Sequence, residues 1–154
     1  MVNIIYASVT GNTERVASYV AEYLLQAGLG LETMLHRAEE IGGELFNTKD
    51  IYIVATSTWD MGQMNQFLES LYEEIPDLDL TGVKMAFIGL GDLIYGEENF
   101  CKAMDMIRSR ALNSGAIELI DALKLDGDPD DQLDSAVSEW CDELIQALGH
   151  EDPQ

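Results

Sequence analysis

The chain has 154 residues, with 8 Lys and Arg against 29 Asp and Glu and a formal net charge of −21; that length suits one domain of ordinary size and leaves no room for two comfortable ones. An imbalance of this sign repels nucleic-acid phosphates and anionic membranes, while it suits transient, electrostatically steered docking on basic proteins. No apolar stretch approaches the ~20 residues of a membrane span, and the N-terminus lacks a basic segment followed by an apolar block, so a soluble cytoplasmic protein is expected; a monomer is expected as well.

Taken in chain order, an apolar run at Val2–Ala7 predicts a first strand and an amphipathic pattern over 13–27 a first helix that stops at Gly28. A second strand follows at 31–35, then a weaker helical pattern over 38–46 interrupted by Gly42 and Gly43. The third strand is expected at 51–56, a helix over 67–75 ahead of Pro76, a fourth strand at 83–89, and a helix over 99–113 ahead of Gly115. A fifth strand at 117–125 and a helix over 132–148 complete the series, leaving 150–154 as a loose tail behind a single domain of residues 1–149. The strands are short, nearly continuous apolar runs, as strands buried on both faces must be. Each helix ends on glycine or meets proline. Strict alternation predicts an α/β three-layer sandwich around a five-stranded parallel sheet in the order 2-1-3-4-5.

In such sheets a ligand lies beyond the carboxyl ends of the strands, at the switch point between the first and third. The residues just past each strand are therefore the informative ones. After the first come Ser8, Val9, Thr10, Gly11, Asn12 and Thr13, a loop of hydroxyls, amides and one glycine that opens a helix whose free N–H groups favour an anion. With no lysine or arginine among the six, it suits the phosphate of a resident cofactor better than a nucleotide in turnover. After the third strand come Ser57, Thr58, Trp59, Asp60, Met61 and Gly62; after the fourth, Leu90, Gly91, Asp92 and, three residues on, Tyr95. A lone loop tryptophan is more often packing than a platform. Two aromatics on the rim that carries a phosphate loop, however, could sandwich a flat heterocycle. Asp92 could accept from a ring N–H or simply cap the turn after Gly91.

Cys101 and Cys141 both fall in helical patterns without metal-type spacing and are expected as free thiols. His36 reads as a strand-end residue and His150 as part of the tail, so no metal site is expected. Neither a nucleophile–base pair nor a carboxylate dyad stands out, and no catalytic residue is assigned.

These residues together resemble the flavodoxins, and the resemblance covers nearly the whole chain. Residues 8–13 resemble the family's Ser/Thr-x-Thr-Gly-x-Thr phosphate loop, Ser57-Thr58-Trp59 the loop on the inner flavin face, and Gly91-Asp92 with Tyr95 the loop on the outer face. The resemblance implies non-covalently bound flavin mononucleotide (FMN), with Asp92 and backbone groups of Leu90, Gly91 and Cys101 at the pyrimidine edge and Tyr95 as the outer stack. It implies a low-potential one-electron carrier, cycling FMN among quinone, semiquinone and hydroquinone. Basic redox proteins such as ferredoxin/flavodoxin–NADP reductase and other ferredoxin-dependent oxidoreductases are the implied partners. Asp60 and Met61 stand where the family often has glycine or asparagine, and the long-chain branch would place its tyrosine at Gly96. The last strand nevertheless lacks the roughly twenty-residue interruption of that branch, which makes this a short-chain architecture with mixed loops. Acidic residues at Asp60, Asp92, Glu97 and Glu98 predict a strongly reducing second one-electron couple, and Met61 and Met64 offer an apolar contact at the rim or, for Met64, the start of a buried face.

Two other readings share the topology. A signalling receiver domain needs acidic residues after the first strand and an aspartate ending the third, where Ala7-Ser8 and Thr56-Ser57 stand. An FMN-dependent NAD(P)H oxidoreductase acting on quinones or nitro compounds would use the same cofactor catalytically, with segments that 154 residues hardly accommodate.

Overall fold

The first strand, β1 (Val2–Ala7), is buried along its whole length, and the rest of the molecule is arranged on its two faces. The computed structural model describes residues 1–48, 50–59 and 62–150, with Trp59 and His150 described through their backbones alone. Helix α1 (Asn12–Gln26) buries Val16, Ala17, Val20 and Leu24, a stripe of helical spacing. It is followed by β2 (Thr33–Arg37), two short 3-10 turns (Ala38–Glu40 and Gly43–Thr48) and β3 (Ile51–Trp59). A two-residue strand, β4 (Gln63–Met64), folds back antiparallel on the end of β3. Then come α2 (Glu69–Glu74), β5 (Lys84–Gly91), α3 (Lys102–Asn113), β6 (Ile117–Glu118), β7 (Leu123–Asp126) and α4 (Ser138–His150).

The parallel sheet runs β2-β1-β3-β5, with β6 and β7 sharing the outer edge of β5. This is the expected 2-1-3-4-5 order with the fifth strand in two pieces. Side-chain alternation along the strands divides the core in two. Ile4, Tyr6, Ile53, Ala55, Ala86 and Ile88 face α1 and α4, where they meet Val16, Val20, Trp140 and Leu144. Ile5, Ala7, Tyr52, Val54, Met85 and Phe87 face α2 and α3, where they meet Leu71, Met104, Ile107 and Ala111. A helix layer on each face is what strands apolar on both sides require.

On the outer side, α1 is tied to the C-terminal segment by three side-chain bonds one turn or two apart. Arg15 donates to Asp130 at 2.9 Å, Tyr19 to Asp134 at 2.9 Å and Tyr23 to Asp142 at 2.6 Å. Carboxylates lying against the two tyrosines push both phenols up, Tyr23 to about 12, with burial adding to the rise and leading it at Tyr19.

Several boundaries differ from expectation for identifiable reasons. The second strand lies two residues later than 31–35, because the register with β1 opens at Val2 opposite Thr33. As an edge strand it leaves Met34 51% and Leu35 41% exposed, so its apolar residues do not mark its limits. The predicted helix over 38–46 is two 3-10 turns, broken where the Gly43 N–H donates to the Glu74 carboxylate at 2.8 Å instead of to a helical carbonyl. The fifth strand is split because the five steps from Glu118 to Leu123 run opposite only the three from Met85 to Ile88; the surplus bulges out, and the Asp121 carbonyl accepts from the Trp140 indole. The helix expected over 67–75 is shorter, Glu69–Glu74, and passes into a 3-10 turn at Ile75–Asp77 that holds Pro76. The last helix starts later than 132, after a 3-10 turn (Pro129–Gln132) and a π-helical turn (Leu133–Val137), and it includes His150, which is therefore helical rather than tail. The remainder of the expected tail, 151–154, lies outside the described residues.

Candidate functional site

At the end of β1 the chain turns through residues 8–11 into α1. The Ser8 hydroxyl accepts the Gly11 N–H at 3.0 Å, which closes the turn, and Gly11 sits at φ 95, a left-handed conformation that a side chain would strain. No side chain caps α1, so the first N–H groups of a 15-residue helix, which have no intrahelical partner, are left facing the end of the sheet with the positive end of the macrodipole. Thr13 is 1% exposed. Arg15, the nearest cation in sequence, is turned to Asp130 and to the Asn12 side-chain oxygen. The loop thus gathers hydroxyls and uncapped helical N–H groups at the end of β1, an arrangement that favours an anion.

The second wall comes from the end of β3. Ser57 receives the Asn65 side-chain amide at 3.2 Å, and Thr58 accepts the backbone N–H of Ala103 at 2.9 Å. β3 continues three residues beyond its expected end at Thr56, because β4 pairs Thr58 with Met64 and Trp59 with Gln63. Gly62, at φ 91, closes this hairpin against Asn99 and Lys102. The expected stacking face of Trp59, and the positions Asp60 and Met61, lie outside what is described. Met64 lies on β4 rather than at the start of a helix, and is partly buried against the core on the α2 and α3 side.

The third wall follows β5. Leu90 is buried, and Gly91 lies so close to the start of α3 that a β-carbon there would stand 2.9 Å from the Cys101 backbone nitrogen. Asp92 accepts the Ile94 N–H at 3.1 Å and so caps a three-residue 3-10 turn, Leu93–Tyr95. The capping alternative for Asp92 is therefore realised with one carboxylate oxygen. Cys101 is fully buried and takes φ 55, a left-handed value, ahead of α3 rather than inside it. Both Cys101 and Cys141 are free thiols.

These walls enclose one cleft of about 480 Å³, lined by Thr10, Asn12, Ser57, Thr58, Leu90, Gly91, Asp92 and Tyr95, together with Gly127 and Asp128. The volume lies within the ~300–1,000 Å³ of small-molecule sites. Eight of the expected binding residues thus meet in one place. Of the others, Ser8 and Gly11 close the turn by their hydrogen bond, Thr13 is buried, and Cys101 lies close against Gly91. Val9 faces instead a separate pocket of about 280 Å³ with Gln63, Met64, Asn65, Gln66 and Glu69. Gly127 and Asp128 were not anticipated. They belong to the loop after the split fifth strand, held by the Gly127 N–H donating to the Gly91 carbonyl at 2.9 Å; the signal was a glycine at the carboxyl end of a strand.

Among the described residues the lining carries two carboxylates, Asp92 and Asp128, and no lysine or arginine. Hydroxyl and dipole donors gather at the Thr10–Asn12 end, while apolar surface, glycine backbone and the Tyr95 ring, 40% exposed, gather at the other. Such a cleft can hold a flat, partly apolar ring with an anionic tail. Among the described residues no group of three or more His, Cys, Asp or Glu is placed to hold a metal ion, and no helix is long and apolar enough to cross a membrane.

The flavodoxin family model matches residues 4–140. A flavodoxin of Maridesulfovibrio salexigens is 36% identical over 131 residues, covering 82% of this chain and 86% of its own, and one of Nitratidesulfovibrio vulgaris is 34% identical over 148 residues, covering 94% and 97%. Among solved structures, a flavodoxin of Streptococcus pneumoniae TIGR4 superposes with a TM-score of 0.83 at 32% identity, covering 94% of this chain and 97% of that one.

Proposed function

This chain belongs to the flavodoxin family of FMN-binding electron carriers, and on that premise we propose that its cleft holds one FMN non-covalently and that the protein passes single electrons at low potential between redox proteins. The uncapped start of α1 beside Thr10 and Asn12, in the same cleft as Tyr95, carries the reading. The phosphate belongs on the N–H groups of residues 8–13, and the ring belongs between Ser57-Thr58 and Leu90–Asp92, with Tyr95 beside it. The residues present fit the group, since an anion site without lysine or arginine suits a cofactor that stays bound. About thirty non-hydrogen atoms at roughly 0.3 kcal/mol each correspond to sub-micromolar affinity. Bound FMN supplies the one-electron chemistry, and the protein governs access, orientation and potential.

Asp92 and Asp128 in the cleft, with exposed Glu97 and Glu98 following Tyr95 in the chain, oppose placing a further negative charge there. A unit charge at contact distance through water is worth about 1 kcal/mol, and 59 mV corresponds to about 1.4 kcal/mol for one electron. The second one-electron potential should therefore fall below that of free FMN by tens of millivolts for each nearby carboxylate. The same charge, with Leu93, Ile94 and Tyr95 exposed beside the cleft, suits docking on basic redox proteins of the ferredoxin/flavodoxin–NADP reductase kind.

The test is anaerobic reductive titration of the purified protein. A yellow protein with its second potential below the free-flavin value is expected. A colourless protein whose apo form leaves FMN fluorescence unquenched would overturn the cofactor assignment, and rapid NAD(P)H oxidation without a partner protein would overturn the carrier role.

A further inference from the structure

The walls of the cleft come from loops far apart in sequence, and one side chain touches two of them. Asn99 donates its amide N–H to the Tyr95 carbonyl at 2.8 Å. Its Oδ1 lies where it would stand 2.8 Å from a β-carbon on Gly62, so the same side chain packs on the bare backbone of the β3–β4 hairpin turn. Its own backbone is fixed as well. The Asn99 N–H donates to the Gly96 carbonyl at 3.2 Å, and its carbonyl accepts from Lys102 at 3.3 Å at the start of α3.

Within its own turn the Tyr95 N–H donates to the Asp92 carbonyl at 3.2 Å, and the Leu93 N–H ties the start of that turn to the Asp126 carboxylate at 2.9 Å, so Asn99 acts on the far end of the turn. Tyr95 ends a 3-10 turn of three residues, too short to be stable alone, and Gly96 follows at φ 96, a conformation that glycine adopts freely. Ile94 beside it is 80% exposed and contributes no packing. We infer that Asn99 is a positioning residue, setting Tyr95 relative to the β3–β4 hairpin so that the two walls keep one spacing and the aromatic ring is held ready at the ring-binding end. The inference rests on the flavin reading for what the spacing serves, and on geometry alone for the link itself. The fit against Gly62 also accounts for the side chain's size. Glutamine would drive its extra methylene into the hairpin, and a smaller residue would not reach.

Two variants and two readouts test it. In Asn99→Ala, the dissociation constant for FMN, read by fluorescence quenching on the apoprotein, is expected to rise by roughly tenfold, the effect of one lost hydrogen bond of ordinary strength, with a changed visible circular dichroism band. In the apoprotein without any flavin, amide hydrogen exchange across residues 92–100 is expected to quicken while exchange in β1 and β5 is unchanged. Asn99→Asp keeps the shape that packs on Gly62 but as a carboxylate cannot donate to Tyr95, so it should quicken the same exchange, and it guards against a misfolded alanine variant. Wild-type exchange across 92–100 in both variants overturns the inference, as does unchanged affinity and dichroism in a wild type that binds FMN. A wild type that leaves FMN unquenched overturns the flavin reading, whereas the exchange result still judges the Asn99 link by itself.

Discussion

Thr58 Oγ1 accepts the backbone N–H of Ala103 at 2.9 Å, so a hydroxyl at the end of β3 caps a helix that begins more than forty residues later. Helix α3 has no cap of its own, because Cys101 stands at the capping position with its thiol buried. Losing a helix cap costs about 1 kcal/mol. Thr58→Val, which keeps the shape and removes the acceptor, is expected to lower the stability of the apoprotein by about that amount in urea unfolding. Thr58→Ser should restore most of it, and a valine variant as stable as wild type would show the cap to be idle.

Close packing around the same helix start sets a second expectation. A β-carbon on Gly89 would stand 2.9 Å from the β-carbons of both Cys101 and Met104, although the Gly89 backbone itself is ordinary. Gly89→Ala should therefore destabilise by overpacking, by roughly 1–3 kcal/mol. Gly149, in the last turn of α4 with open space around it, is the control. Alanine there should leave the melting temperature unchanged or slightly higher.

The parts of the molecule that follow period and polarity were legible in the sequence, and those that follow register were not. β1 was read with its exact limits because every residue in it is buried, so burial and strand coincide. β2 was misplaced because its apolar residues face outward at an edge, and the split of the fifth strand depends on a count against β5 that no local pattern carries. Of the cleft, the loops after β1, β3 and β5 were legible from their small polar and glycine residues. Gly127 and Asp128 carry the same glycine signal after the fifth strand, but the split of that strand hides where it ends. Asn99 was read only as the start of a helical pattern. Its role depends on Gly62, and the pairing of those two positions is created by the fold alone.

The short strand β6 is fixed to α3 by a two-pronged ion pair. Arg108 Nε and Nη2 donate to the two carboxylate oxygens of Glu118, each at 2.6 Å. The glutamate lies beside the guanidinium and raises the arginine pKa further above its ordinary value, against a smaller lowering by burial. With the Arg108 side chain 37% exposed, the pair is screened, and about 1 kcal/mol is the reasonable coupling. A double-mutant cycle with Arg108→Met and Glu118→Gln should return that coupling energy, smaller at high salt. Arg108→Lys should recover little of it, because an ammonium cannot reproduce the planar fork. A coupling of zero would mean that β6 is held by its pairing with β5 alone.

Alkaline pH should loosen the protein through its thiols. Burial pushes Cys101 and Cys141 from 9.0 up to about 12. In the unfolded chain each thiol gives up its proton near its ordinary pKa, so between about 9 and 12 the unfolded state binds fewer protons than the folded one, and stability must fall as pH rises. Below that window both states hold the protons and the thiols contribute no pH dependence. The raised phenols of Tyr6, Tyr19 and Tyr23 act in the same direction at higher pH, which is why the decisive measurement is a difference. The melting temperature of wild type should fall from pH 9 to 11 more steeply than that of the Cys101→Ala, Cys141→Ala double variant, whose remaining decline belongs to the tyrosines. Equal slopes would mean that the thiols reach solvent in the native state. A thiol-specific aromatic disulfide gives an independent check at pH 8, where it should find no reactive cysteine until denaturant is added.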